Sequence, residues 1–387
     1  MKKICIVTAT RAEYGLLKPL MTLIEKSDQF TLQVLATGAH LSPEFGLTYK
    51  FIEQDGFIIN EKVEMLVSSD TSNAIVKSMG LGMIGYADAF SRLNPDAVII
   101  LGDRYEMLSV ASVASIFTIP IFHLHGGEIT EGAYDDAIRH AISKLSHLHF
   151  TSTEEYRQRV IQMGEQPDRV FNVGAIGLDN IYNVPLLTKE DLEQSLGIRF
   201  KKYNYQVTFH PETLGGKSAK EQFEILLRAI SQQKDSYFVF TKANADTDGR
   251  IINQLIDDFV SKNPETSAAY SSLGSIRFLS LVKICNAIVG NSSSGIIEAP
   301  SLNTATINIG DRQKGRTQAG SVINCAVEEE MIIDSFQRAK ESLFQDTVAK
   351  IENPYGTGGT AARIMHALSS LDFNQLKTKK FYNIKHR

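Results

Sequence analysis

The sequence predicts an α/β protein made of two Rossmann-like domains facing a central cleft. Three observations carry that expectation. The chain has 387 residues, enough for two cores of ordinary size. Short β-branched runs alternate with amphipathic helical patterns, as a parallel sheet with crossover helices requires. A second series of the same kind begins near residue 204.

In the first series KKICIVTAT (2–10), LQVLATG (32–38) and DAVIILG (96–102) read as buried parallel strands, followed by IPIFHLHG (119–126) and HLHFTST (147–153). Between them GLLKPLMTLIEKS (15–27) and DAIRHAISKLS (136–146) have helical spacing. In the second series YQVTFHP, SYFVFTKA, IRFLS, NAIVGNSSSG and TATINIG read as strands. The segment from 183 to 204 is charged, begins near a proline and carries a threonine followed by acidic residues, which is a helix start. The domains are therefore set at 1–182 and 183–359, with the helix within 360–387 expected to pack back on the first.

Hydrophobic residues make up 43% and charged residues 22%, an ordinary globular balance. A net charge of −4 offers no general attraction for nucleic acid or an anionic membrane, so neither is expected as a partner. Three scattered cysteines form neither a disulfide framework nor a metal-site spacing, and Cys5 and Cys285 sit in apolar runs as small hydrophobes. The N-terminal apolar run is short and passes into Arg11 and Glu13, which suits a first strand better than a signal segment. No stretch approaches the ~18 apolar residues of a membrane span. A cytoplasmic location is expected.

Open α/β sheets bind ligands at the C-terminal ends of their strands, so the residues just past each strand are the candidates. NAIVGNSSSGIIE (286–298) ends a strand in a small-residue turn that opens a helix. Ser292, Ser293 and Ser294 with free N–H groups suit a diphosphate, and they suit a plain polar helix cap equally. Glu298, one turn in, could accept from ribose hydroxyls. Arg312, Lys314 and Arg316, after the next strand, shift the balance towards a diphosphate. Arg11 and Glu13 follow the first strand in TRAEYG, which is no GxGxxG fingerprint and argues against a nicotinamide or flavin enzyme. Asp103, at an apolar strand's end beside Arg104, is an acid/base candidate or else a helix cap.

The densest ionisable group is HLHGGEITEGAYDDAIRHAISK (123–144), with His123, His125, Glu128, Glu131, Asp135, Asp136, Arg139 and His140. No HExxH-like pair with suitable partners is present, so no metal is expected. His140, His147 and His149 read as structural. His210 follows the first strand of the second domain, and Asn244 follows the next, as a ligand contact or a turn residue.

Taken in order, TRAEYG, TGAH, GDRYE, HGGE, the YDD and IRHAI run, FHPET, GNSSSGIIE and INIGDRQKGR resemble the hydrolysing UDP-N-acetylglucosamine 2-epimerases of bacterial sialic-acid and capsule biosynthesis, from end to end. The resemblance implies the GT-B type of fold, a UDP-sugar as partner, no cofactor, and a homodimer or homotetramer. It assigns Ser292, Ser293, Glu298, Arg312, Asn244 and His210 to the nucleotide diphosphate. It makes Arg11 and Arg104 cleft-facing arginines, and Asp103 and Asp135 acid/base residues. Ser294 and Arg139 join the substrate-binding set, and His210 stands also among the catalytic candidates. Many relatives carry glutamate where this chain has His125, so one catalytic carboxylate is replaced. His125 and Glu128 are the candidates to take over its proton work.

The chemistry so implied starts with loss of UDP from C1, which gives the sugar oxocarbenium character and acidifies C2–H. A base takes that proton, leaving a 2-acetamidoglucal; a proton returns to the opposite face and water adds at C1. The expected conversion is UDP-N-acetylglucosamine and water to N-acetylmannosamine and UDP. The alternatives are the same reaction on UDP-2,4-diacetamido-2,4,6-trideoxyglucose, or epimerisation without hydrolysis.

Overall fold

The computed structural model describes residues 1–387 except 68, 70, 132–133, 211–216, 243–248, 377 and 385–387, and only the backbone of Asn183 and Asn374. The chain divides into two compact units. Unit 1 comprises Met1–Glu128, Asp135–Asp179 and Gly358–Arg387; unit 2 comprises Ile129–Tyr134 and Asn180–Thr357. The six residues 129–134 thus belong with unit 2, although they lie inside the stretch 1–182 that the sequence assigns to the first domain.

Unit 1 holds a seven-stranded parallel sheet: β1 (Lys2–Thr8), β2 (Phe30–Thr37), β3 (Glu61–Val63), β4 (Ala97–Leu101), β5 (Ile121–Leu124), β6 (Leu148–Thr151) and β7 (Val170–Asn172). Their order is β3-β2-β1-β4-β5-β6-β7, so the direction of winding reverses between β1 and β4. Side chains alternate between two cores, as the two-residue period of a strand demands. Ile4, Ile6, Ile99 and Leu101 face one, Cys5, Val7, Val98 and Ile100 the other. Burial pushes the Cys5 thiol far up, which leaves it an unreactive hydrophobe. The helix Thr360–Ser370 puts Ala361, Ile364, Ala367 and Leu368 into the first of these cores. Its start is held by Asp179, whose carboxylate accepts from the N–H groups of Thr360 (2.8 Å) and Ala361 (2.7 Å).

Unit 2 has a six-stranded parallel sheet: β8 (Tyr203–Thr208), β9 (Ser236–Thr241), β10 (Ser267–Tyr270), β11 (Ala287–Gly290), β12 (Ala305–Ile309) and β13 (Val322–Cys325), ordered β10-β9-β8-β11-β12-β13. Here the reversal falls between β8 and β11. One expectation fails: IRFLS (276–280) is not a strand but lies within the helix Gly274–Ile284. Its apolar residues serve helical spacings, Leu279 and Val282 packing in one cluster and Leu281 and Cys285 in another. A run this short reads either way by periodicity.

Candidate active site

In unit 1 the candidate residues sit at the C-terminal ends of β4, β5 and β6. Asp103 leaves β4 through Gly102 and is hydrogen-bonded and ion-paired to Arg139, the largest fully buried side chain among the described residues. Arg139 rises from the helix Asp135–Leu145 and donates also to the Glu128 carbonyl at 3.0 Å. Its guanidinium lies 3.8 Å from Asp136, which pairs in turn with His140 at 3.5 Å. One buried cation therefore gathers Asp103, the backbone of Glu128 and the acidic first turn that holds Asp135 and Asp136. A buried guanidinium needs such carboxylate and carbonyl partners.

His125 has φ +64, an unusual conformation for a side chain with a Cβ, and its ring is tied at both ends. The Ile176 N–H donates to Nε2 at 3.2 Å, so Nδ1 carries the proton and donates to Glu128 Oε1 at 2.9 Å. Glu128 is buried and accepts a second bond on the same oxygen, from Ser152 Oγ at 2.8 Å. Gly127 permits the tight approach: a Cβ there would stand 2.5 Å from the Tyr156 carbonyl. His123 is fully buried, and burial pushes its pKa down to about 3, keeping the ring neutral. Its Nε2 donates to the Gly102 carbonyl at 2.7 Å. His147 and His149 are likewise held below the ordinary histidine range by burial.

A second group adjoins the β1–β4 reversal. Arg104 grips Glu106 through two bonds, Nε to Oε2 at 3.2 Å and Nη2 to Oε1 at 3.1 Å, and Glu106 is buried. Glu13 accepts from the N–H groups of Ala9 (2.8 Å) and Thr10 (3.2 Å), completing a capping box on the helix Arg11–Glu25. Burial pushes its pKa up to about 7, against the pull of Arg104 and with the repulsion of Glu106. Arg11 stacks on the Phe51 ring, 4.0 Å from its centroid. Glu106 and Ser152 were not singled out from sequence, although GDRYE contains the first and a strand-end TST the second.

In unit 2 three loops meet on Asn291, a residue the sequence offers only as part of a turn. Its side chain clasps the backbone of His210: Oδ1 accepts from the His210 N–H at 2.7 Å, and Nδ2 donates to the His210 carbonyl at 2.9 Å. Its carbonyl accepts from Arg312 Nη1 (3.1 Å) and Gln313 Nε2 (2.8 Å). Gly290, φ +129, is obligatory, since a Cβ would fall 1.9 Å from the Thr208 carbonyl. The structure brings His210, Ser292 to Ser294 and Arg312 to one sheet end, beside the β8–β11 reversal. Ser293 makes no side-chain capping bond, and the helix it precedes is the single turn Ser294–Ile297, so a cap is not what this serine supplies. Glu298 closes that turn. Arg316 donates to the Ile129 carbonyl (3.2 Å) and to Thr130 Oγ1 (3.4 Å). Asn244 lies outside the described residues. Among the described residues, no group of three His, Cys, Asp or Glu is placed to hold a metal ion, and no helix is long and apolar enough to cross a membrane.

The sequence profile of the UDP-N-acetylglucosamine 2-epimerase family matches residues 22–369. This chain belongs to that family. A GDP/UDP-N,N'-diacetylbacillosamine 2-epimerase (hydrolyzing) of Campylobacter jejuni is 47% identical to it over 344 residues, 89% of each chain. Polysialic acid biosynthesis protein P7 of Escherichia coli is 41% identical over 389 residues, covering 99% of this chain and 98% of that one. The crystal structure of a Neisseria meningitidis UDP-GlcNAc 2-epimerase bound to UDP-GlcNAc has the same fold, with a TM-score of 0.79 at 20% identity, covering 95% of this chain and all of the other. The two parallel-sheet units are the GT-B-type fold of the 2-epimerase family. The pairs Arg139–Asp103, Arg104–Glu106 and His125–Glu128 lie in unit 1 and the Asn291 clasp lies in unit 2.

Proposed function

We propose that this chain is a hydrolysing 2-epimerase that converts UDP-N-acetylglucosamine and water to N-acetylmannosamine and UDP, for sialic-acid biosynthesis. The observation that carries the reading is the buried Arg139, which holds Asp103 and reaches through Asp136 (3.8 Å) to the acidic first turn that also carries Asp135. In it the diphosphate is bound by Ser292, Ser293, Ser294 and Arg312, with Glu298, Asn244 and His210 on the nucleotide, while Arg11, Arg104 and Arg139 serve the sugar-proximal charges. As the C1–O bond to UDP breaks, Arg312 and the serine-turn N–H groups meet the charge that develops on the leaving oxygen. The C2 proton passes to a carboxylate, Asp103 or Asp135, and a proton returns from the other face; water then adds at C1. His125 orients Glu128 in this scheme: protonating Nε2 would break the bond from Ile176, so the ring supports a carboxylate rather than shuttling protons. A cytoplasmic location and a homodimer or homotetramer belong to the same reading.

The 41%-identical polysialic-acid relative supports this substrate, and the 47%-identical relative supports a second one, UDP-2,4-diacetamido-2,4,6-trideoxyglucose, with identical chemistry at C1 and C2. Proton NMR of both UDP-sugars incubated side by side with the protein separates them. Faster release of N-acetylmannosamine is expected; preferential turnover of the diacetamido sugar would move the assignment to the second substrate. UDP-N-acetylmannosamine without free UDP would reject hydrolysis altogether.

A further inference from the structure

The last part of the chain is fastened onto unit 1 far from its own sequence neighbours. Arg169 donates to the carbonyls of Gln375 (2.9 Å) and Thr378 (3.1 Å), and the Tyr382 N–H donates to the Gly164 carbonyl (2.8 Å). Phe381 covers Gly164 so closely that a Cβ there would sit 2.4 Å from the ring. Between these anchors Lys379 is carried to the C-terminal end of the helix Asp135–Leu145. Its ammonium donates to the carbonyls of Lys144, Ser146 (2.7 Å) and Ser143 (3.4 Å), and pairs with Glu165 at 2.9 Å.

The Ser143 carbonyl keeps only a last-turn bond from the Ser146 N–H (3.2 Å), and together these carbonyls mark the negative end of the helix dipole. A cation suits the place on both counts. Burial works against it and draws the Lys379 pKa down, while Glu165 opposes that pull. Glu165 is itself desolvated, yet bonds from His149, Lys144 and Lys379 hold it at about 2. A half-buried lysine paired to a buried carboxylate is an expensive way merely to tie down a tail.

The helix so closed is the one that carries Asp135 and Asp136 in its first turn and Arg139 two turns before its end. Ser143, whose carbonyl Lys379 approaches, has its hydroxyl 3.2 Å from His123 Nδ1, and His123 donates to the carbonyl of Gly102, the residue before Asp103. We propose that Lys379 is a positioning residue for the acid/base groups of unit 1: by closing the C-terminal end of this helix it fixes where Asp135 and Arg139 stand against Asp103. The inference rests on the function proposed above, and its test separates the two.

Lys379→Met keeps the stem and removes the charge. It should lower kcat about tenfold with KM for the UDP-sugar within about twofold, and Lys379→Arg should recover at least about half of that loss. Glu165→Gln, a milder variant, should lower kcat about threefold in the same sense. An unchanged kcat in Lys379→Met or Glu165→Gln, or an equal loss in Lys379→Arg, overturns the proposal. Hydrogen exchange needs no substrate. In Lys379→Met the amides of residues 142–146 should exchange about tenfold faster or more, while those of the helix Arg11–Glu25 keep their rates. Unchanged protection at 142–146 overturns the positioning role. Faster exchange there, in a protein whose wild type consumes no UDP-sugar, overturns only the functional reading.

Discussion

The strand ends of the two units are built from different materials. In unit 1, ionisable side chains hold one another: Arg139 with Asp103, Arg104 with Glu106, His125 with Glu128. In unit 2, an uncharged amide holds backbone: Asn291 clasps His210 on one side and receives Arg312 and Gln313 on the other. The difference matches the division of labour proposed above. Proton transfer needs carboxylates whose geometry is fixed by buried partners. A diphosphate needs N–H groups, hydroxyls and one well-aimed guanidinium, for which a rigid neutral scaffold is enough.

That division can be broken by experiment. Asp103→Asn should cost the most, lowering kcat by about 10²–10⁴-fold while leaving UDP affinity nearly unchanged by calorimetry. An Asp103→Asn protein that loses UDP binding along with catalysis would merge the two roles. Arg312→Ala should act in the opposite sense, weakening UDP by about 10–100-fold, as expected for one charge-assisted bond to phosphate. Undiminished UDP affinity in that variant would remove Arg312 from the diphosphate site.

The smallest effect concerns Glu13, and it falls on stability. Its folded pKa, about 7, lies above the ordinary carboxylate value, so the folded state binds the proton more tightly than the unfolded one. Its favourable contribution is complete below the unfolded pKa and is lost as pH rises through about 7. Between roughly pH 4.5 and 7, wild-type stability should therefore fall relative to Glu13→Gln by about 1–3 kcal/mol, read from denaturant melts. Parallel profiles for the two proteins would contradict a buried, proton-holding Glu13.

The interior of each sheet was legible in sequence because its strands carry short apolar or alternating runs: β1, β4 and β11 are apolar on both faces, and β8 alternates Tyr205 and Val207 with polar Asn204, Gln206 and Thr208. The strands that escaped are all edges. β3, β7 and β13 have three or four residues each, and β10, SAAY, has a weaker apolar signal than the neighbouring IRFLS. An edge strand is paired on one side and partly exposed, so it carries no continuous apolar run. The site shows the same contrast. Motifs just past strands pointed to Asp103, His210 and the serine turn, because strand ends are where open sheets place ligands. The bonds between them were hidden. Arg139 reaches Asp103 across 36 positions, and Asn291 reaches His210 across 81. Nor could the sequence show that both His125 nitrogens are occupied, since one partner is the backbone of Ile176.

The proposed loss of UDP with inversion at C2 through proton exchange can be followed by running the reaction on UDP-N-acetylglucosamine in deuterium oxide under proton NMR. Stoichiometric free UDP and N-acetylmannosamine carrying deuterium at C2 from the first turnover are expected. Free UDP with a product still fully protonated at C2 would contradict that proposal.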